Sequence, residues 1–175
     1  LAMPNGGLIS INHKNHKRFR RILTARRWCG ITDRVRSDYD VKEIGWNYYM
    51  NEFSAAIGLV QLKKLDKLNK IRYNICKMYH TQINTDKKMP LISGSSYHFY
   101  WILVKNQKKF RQNMLNSKIE TGIHYKPIHC MSMYKQKKKL PITESISNSI
   151  VTLPTSPNLK KSQIEFIIQS INRYI

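Results

Sequence analysis

Acidic residues are scarce in this chain. Its 175 residues include 10 Asp and Glu against 31 Lys and Arg, a formal net charge of +21. Cysteine is scarcer: Cys29, Cys76 and Cys130 are odd in number and far apart, which excludes a disulfide framework and a CxxC zinc pattern and predicts three reduced thiols. No apolar run approaches the length of about 20 residues that spans a bilayer. The opening stretch, broken by Pro4, Asn5, Gly6 and Gly7, does not read as a secretory leader. A GxGxxG fingerprint, a Walker loop and a nucleophile elbow are all missing, so dinucleotide, P-loop and α/β-hydrolase sites are not signalled. The start, "LAMPNGG", reads as mid-protein sequence, and a fragment is expected.

What is present is enough apolar material for a core. The chain is 41% hydrophobic with ten Tyr, which argues against disorder despite the charge. The length suits one domain or a piece of a larger one. Basic residues recur from Lys17 to Arg27, Lys63 to Lys77, Lys105 to Arg111, Lys135 to Lys139, and at Lys160 and Lys161. They come without finger spacing, an RNP-like aromatic motif or a basic arm joined to heptads. Abundant Ile, Asn and Lys fit an AT-rich coding sequence, so the charge reads as solvated faces and nucleic acid is not the expected partner.

The pattern predicts a short strand at Leu8–Ile11, then a helix capped by Asn12 and running to about Trp28, with Phe19, Ile22 and Leu23 inward and Gly30 at its end. Ile31–Gly45 reads as a polar loop. From Glu52 to about His80, after Asn51, apolar residues recur at helical spacing, with Leu65 and Leu68 on one face and Lys63, Lys64, Lys67 and Lys70 on the other. Lys87–Ser96 reads as a loop and Tyr97–Val104 as a buried strand. Phe110–Asn116 reads as a short helix whose turn ends at Gly122, and Ile123–Tyr125 as a brief strand. Ser132–Leu140 is a basic loop, Thr143 caps a helix to about Ser149, and Ile150–Leu153 is a strand. Ser162–Tyr174 is a last helix with Ile164, Ile167, Ile168 and Ile171 inward. Helices alternating with short strands give a mixed α/β or α+β class.

Two segments place polar and aromatic residues where a plain scaffold would not. In "GWNYYMNE", Gly45–Glu52, an Asn beside a helix start can donate an amide N–H to a phosphate oxygen, although capping by Asn47 or Asn51 is the commoner use. In "HYKPIH", His124–His129, two imidazoles and a phenol suit a polar ligand. A zinc site from His124, His129 and Cys130 lacks a fourth ligand at a recognisable spacing, so no metal is expected. His80 and His98 read as structural hydrogen-bonders.

Taken together, the stretches "GGLISINHKNHKRFRRILTARRWCGI", "VKEIGWNYYMNEFSAAIGLVQLKKLDKLNKIRYNICKMY", "TGIHYKPIH" and "LPITESISNSIVTLPTSPNLKKSQIEFIIQSI" resemble, in order, the C-terminal half of the DegT/DnrJ/EryC1/StrS sugar aminotransferases. The resemblance implies an α/β, type I PLP-dependent aminotransferase fold (PLP is pyridoxal 5'-phosphate). Residues 1–80 would be the end of the large cofactor domain and the long connecting helix, and 81–175 the small C-terminal α+β domain. It implies transfer of an amino group, commonly from glutamate, to a nucleotide-linked keto sugar. It also implies a cytoplasmic homodimer with shared active sites, in a surface polysaccharide or glycan pathway. The Schiff-base lysine would fall just upstream of Leu1, so no catalytic residue is assigned within the chain, and the fragment alone is expected to be inactive. By the same resemblance Asn47 would reach the cofactor phosphate, and His124, Tyr125 and His129 would line the sugar-nucleotide side. Tyr49 stands where many members carry Arg, so the amino donor is left open. The alternative is a non-catalytic relic, or a basic module that binds polyanions.

Overall fold

The computed structural model describes residues 6–134 and 139–175. Positions 1–5, and 135–138 of the expected basic loop, lie outside the described residues. The chain forms two compact units, Leu1–Leu65 and Asp66–Ile175.

In the first unit, α1 spans His16–Arg27. Ala25 is its one buried residue, Ile22 and Leu23 are half-buried, and Phe19 is exposed. Its start differs from expectation. Asn15, not Asn12, precedes the helix, and no side chain caps it; the Asn15 N–H donates to His13 Nδ1 at 3.0 Å. Its end is as expected. Cys29 and Gly30 take positive φ (52° and 78°), and the Gly30 N–H reaches back to the Ala25 carbonyl at 2.9 Å, closing the last turn. No strand forms at residues 8–11, which are largely exposed and pair with nothing among the described residues.

The expected loop at Ile31–Gly45 is instead a hairpin. Strand β1 (Ile31–Val35) pairs antiparallel with β2 (Asp38–Val41), Ile31 opposite Val41 and Val35 opposite Asp38, with a bulge between. Its strands are mostly exposed on both faces, so no hydrophobic alternation marks them. The Lys42 ammonium, 3.0 Å from Asp33 Oδ2, holds that carboxyl below the usual carboxylate range.

Helix α2 runs from Glu52 to Gln82, as its periodicity predicts. Asn51 Oδ1 accepts the Ser54 N–H at 2.8 Å and caps it. The first half, in the first unit, exposes Phe53, Leu59, Val60 and Leu62. The second half, in the second unit, buries Ile75, Cys76 and Tyr79.

The second unit is built on one antiparallel pair, β3 (Tyr100–Leu103) with β4 (Ile150–Leu153), Tyr100 opposite Leu153 and Leu103 opposite Ile150. Single bridges extend this layer on both sides, Lys88 to Ile102 and Gly122 to Thr152. The strand expected at Tyr97–Val104 is therefore shorter, and Ile123–Tyr125 contributes only the neighbouring Gly122 bridge. Helix α3 (Gln107–Asn116) is capped by Asn106, whose side chain accepts the Lys109 N–H at 3.0 Å. Its closing turn uses Lys118 (φ 59°), with the Ile119 N–H on the Met114 carbonyl, not Gly122. Helix α4 (Pro141–Ser149) begins before Thr143 because Pro141 occupies its first position and Glu144 accepts the Leu140 N–H at 2.9 Å. Helix α5 (Lys161–Tyr174) buries Ile164, Ile167, Ile168 and Ile171, the four residues its spacing selects.

The core of this unit joins those isoleucines to Ile75, Tyr79, Tyr100, Ile102, Phe110, Met114 and Val151. Tyr79 and Tyr100 are buried with their hydroxyls satisfied: Tyr79 donates to the Pro154 carbonyl at 2.8 Å and Tyr100 to the Met89 carbonyl at 2.9 Å. Burial raises both phenols above their ordinary range and pushes the Cys76 thiol up to about 12. The three cysteines are unpaired. His80 Nδ1 lies 3.2 Å from both the Met89 carbonyl and the Tyr100 hydroxyl, a structural role. Among the described residues no helix is long and apolar enough to cross a membrane.

Ile171 has no exposed surface. Replacing it with Ala should cost about 2–5 kcal/mol, the range for truncating a buried aliphatic residue. Urea unfolding followed by circular dichroism measures it; a loss under about 1 kcal/mol would place Ile171 outside a packed core.

Candidate functional site

The segment after β2 is pinned to the end of α1 mainly by backbone hydrogen bonds. The Trp46 N–H donates to the Arg26 carbonyl at 2.8 Å, the Cys29 N–H to the Trp46 carbonyl at 3.1 Å, and the Tyr48 N–H to the Arg27 carbonyl at 2.9 Å. This close approach needs two glycines: a Cβ at Gly30 would overlap the Glu43 carbonyl oxygen, and one at Gly45 would overlap the Gly30 backbone. Asn47 is thereby set opposite Trp28 in an antiparallel bridge. Arg26 closes the edge through a 2.8 Å contact with Glu43.

Asn47 is exposed, and its side chain has no hydrogen-bond partner among the described residues. Asn51 takes the capping role, which settles which asparagine serves the helix. Around Asn47 lies an aromatic surface. Tyr49 meets Trp28 edge-on at 4.7 Å between centroids, and Trp46 and Tyr48 stack nearly parallel at 6.1 Å. A neutral, outward-facing amide next to the Arg26–Arg27 pair is chemically suited to a phosphate oxygen.

The other three expected residues lie in the second unit and are only partly brought together. His124 Nδ1 sits 2.8 Å from Thr152 Oγ1, on a hydroxyl that is itself buried. The His124 ring stacks on Phe99 at 5.3 Å and meets the Tyr125 ring edge-on at 4.7 Å. Tyr125 is exposed and His124 is half-buried. His129 is separately engaged: its Nε2 lies 3.1 Å from Glu144 Oε1, and its side chain is 12% exposed. Among the described residues no three His, Cys, Asp or Glu side chains converge as metal ligands. A surface hollow of about 430 Å³, lined by Asn69, Lys70, Tyr73, Ile92, Gly94 and Tyr97, contains none of the four expected site residues.

Sequence reasoning missed Gly122, Thr152 and Glu144. Gly122 exchanges two backbone hydrogen bonds with Thr152, at 3.0 and 2.9 Å, and a Cβ there would lie 2.7 Å from both His124 Cε1 and Thr152 Oγ1. It therefore makes room for the imidazole. A Gly after a predicted helix was the available signal, but it reads equally as a helix stop.

The sequence matches the DegT/DnrJ/EryC1/StrS aminotransferase family over residues 1–172. It is 32% identical over 138 residues to the GDP-perosamine synthase of Escherichia coli O157:H7, covering 75% of this chain and 38% of that protein. It is 31% identical over 137 residues to the dTDP-3-amino-3,6-dideoxy-alpha-D-galactopyranose transaminase of Aneurinibacillus thermoaerophilus, covering 74% and 38%. Among solved structures it is similar to Helicobacter pylori PseC, an aminotransferase involved in the biosynthesis of pseudoaminic acid, at 28% identity and a TM-score of 0.77, covering 87% of this chain and 44% of that one. Other solved sugar aminotransferases superpose on it with TM-scores such as 0.75 and 0.82, so the fold is the one the resemblance implies. The chain spans about two-fifths of the length of the curated relatives it matches.

Two measurements check this geometry. Gly122→Ala should displace the His124 ring and cost about 1–3 kcal/mol, as overpacking does; unchanged His124 ring proton shifts would refute the close approach. The Glu144 carboxyl is held below its ordinary 4.5 first by the Leu140 N–H and then by His129. A lowered native value means the unfolded state binds more protons, so this contribution is present above 4.5 and is lost as pH falls through the native value. Carboxyl carbon NMR should show a Glu144 midpoint below 4.5 that moves upward in His129→Ala; a midpoint at or above 4.5 in the unaltered chain would contradict the contact.

Proposed function

Because the chain belongs to the DegT/DnrJ/EryC1/StrS aminotransferase family, whose members work with pyridoxal phosphate, we propose that it is the C-terminal part of an enzyme moving an amino group from an amino acid, with glutamate the expected donor, to a keto sugar carried on a nucleotide. Residues 1–80 serve as the end of the cofactor domain with its connecting helix, and 81–175 as the small domain. The protein acts as a cytoplasmic homodimer, each site being completed by the partner copy. The amino-sugar products named for the relatives in Escherichia coli and Aneurinibacillus thermoaerophilus support the substrate class.

The observation that carries this reading is Asn47. Its amide faces outward without an internal partner, on a strap held by backbone hydrogen bonds, while the neighbouring Asn51 is consumed by the helix cap. Such a group donates to a phosphate oxygen without losing an internal bond, and it is pre-positioned at little entropic cost. When bound, pyridoxal phosphate supplies the electron sink for the chemistry. Asn47 would anchor the phosphate of the coenzyme held by the neighbouring protomer. His124 and Tyr125 would present hydrogen-bonding edges to the sugar nucleotide, with Thr152 and Phe99 fixing the imidazole plane. His129, tied to Glu144, would hold the 128–130 turn in place beside them.

The test uses the longer protein that contains this chain, supplied with glutamate and a panel of GDP- and dTDP-linked keto sugars. Release of 2-oxoglutarate that depends on one of the sugars is the expected result. Asn47→Ala should weaken retention of pyridoxal phosphate about tenfold, the scale of one hydrogen bond to a charged group, with smaller change for pyridoxal lacking the phosphate. Equal retention of the two forms by the variant and the unaltered protein would remove Asn47 from the phosphate.

A further inference from the structure

Arg26 and Arg27 are adjacent at the end of α1 but sit in different surroundings. Arg26 donates to Glu43 at 2.8 Å. Arg27 has no carboxylate within ion-pairing distance among the described residues; its guanidinium carbon lies 5.5 Å from the centre of the Tyr49 ring. The nearby acids are already engaged: Glu43 with Arg26, and Asp33 and Asp40 with Lys42. The Arg27 carbonyl accepts the Tyr48 N–H, and the next residue, Trp28, is bridged to Asn47. Arg27 lies over the ring of Tyr49, two residues along the strap from Asn47, so an uncommitted cation and an uncommitted amide are carried by the same short segment of the first unit.

A guanidinium that rests on an aromatic face keeps its planar N–H edge for other partners, and that edge matches the spacing of two oxygens on one carboxylate or phosphate. Tyr49 is itself braced by Trp28, so the ring is a shelf and not a free side chain. Helix-end charge complementarity explains a basic residue here, but it does not explain why one arginine of the pair is neutralised and its neighbour is laid on a ring beside an open amide.

We propose that Arg27, resting on the Tyr49 ring next to Asn47, is the charge-bearing donor of an oxyanion site on this edge of the first unit, taking a phosphate or a carboxylate bidentately. Tyr49 carries no cation, and the guanidinium is delivered to it from the end of α1. The inference rests on the aminotransferase reading for the identity of the physiological anion, coenzyme phosphate or donor carboxylate. The site's existence does not depend on that reading.

The three tryptophans report on it. Trp28 touches Tyr49, whereas Trp101 lies in β3 of the other unit. Inorganic phosphate and glutarate are titrated separately into the 175-residue chain at constant ionic strength, and the indole N–H signals are followed by NMR. The Trp28 signal should move saturably with at least one anion while Trp101 stays still. Saturation by phosphate alone, or by glutarate alone, supports the site and names its ligand class. Arg27→Gln should weaken the response about tenfold, the scale of a charge-assisted hydrogen bond, and Arg20→Gln, which removes the same charge from the same helix, should change it by less than about twofold. Tyr49→Leu keeps the charge and removes the shelf, and it should also weaken the response. No saturation, three indoles drifting together, or equal losses in the Arg20 and Arg27 variants would overturn the proposal. A chain that passes this test in a longer protein that forms no 2-oxoglutarate would count against the aminotransferase reading and leave the oxyanion site standing.

Discussion

The contact between Gly30 and Gly45 governs the candidate site of the first unit. Neither position has space for a Cβ, and the backbone approach they permit lets three interstrand-like hydrogen bonds form between 26–29 and 46–48. Those bonds involve no side chain, so they set position without using the functional groups. Asn47, Tyr48 and Tyr49 are thereby left to face outward, and the aromatic and basic residues group around them. The site is polar and exposed because its scaffold is satisfied through main-chain pairing. An alanine at either glycine would force the strap off α1 and scatter Asn47, Tyr49 and Arg27 together.

The second unit reaches its order by a different route. Here the isoleucine face of α5 and the inward residues of β3 form a continuous apolar core, and the buried polar atoms beside it meet partners except for Arg111 Nε, which is buried without one among the described residues. The hydroxyls of Tyr79 and Tyr100 end on backbone carbonyls. Thr152 faces away from that core, on a strand buried at three successive positions, and it is there that His124 docks. A strand buried on both faces with a hydroxyl in its middle thus converts a packing element into a support for an imidazole. That is a reason for a Thr at this place that does not depend on β-propensity.

Elements with a strong apolar period were legible in the sequence. The second half of the α2 pattern, from Ile71 to Met78, and the α5 quartet ending at Ile171 pack on the core, so shifting either would expose that stripe; the first half of α2 shows the same period although Phe53 and Val60 are exposed. The β1–β2 hairpin was not legible: Asp33, Arg34, Asp38, Tyr39 and Asp40 carry no two-residue alternation, and what holds the pair is main-chain bonding and the Lys42–Asp33 contact. The N-terminus of α4 misled for a related reason. Thr143 is a good cap by type, but Pro141 favours the first helical position and Glu144 reaches back to Leu140, two local effects that together outweigh one hydroxyl. The site was legible as segments and not as contacts. Asn47 and the His124–His129 stretch stand out by residue type, whereas Gly122, Thr152 and Glu144 matter through geometry that no spacing encodes.

The excess of positive charge also takes a more specific form than composition suggests. In the first unit, carboxylates are matched to particular cations: Glu43 to Arg26, Asp33 to Lys42 and Arg21, and Asp40 to Lys42. With so few acids available, pairing is selective, and the residues left over carry information. The α1 cations Lys17, Arg18 and Arg20 are exposed and form no ion pair among the described residues. Arg27 differs because an aromatic ring fixes it and a backbone bridge sets it next to an amide. Arg34 is likewise held, 5.8 Å from the centre of the Trp28 ring and donating to the Arg36 carbonyl, so it is the open amide beside Arg27 that sets that arginine apart. Recognition of a small oxyanion needs such directed donors, whereas diffuse attraction to a polyanion needs only charge density.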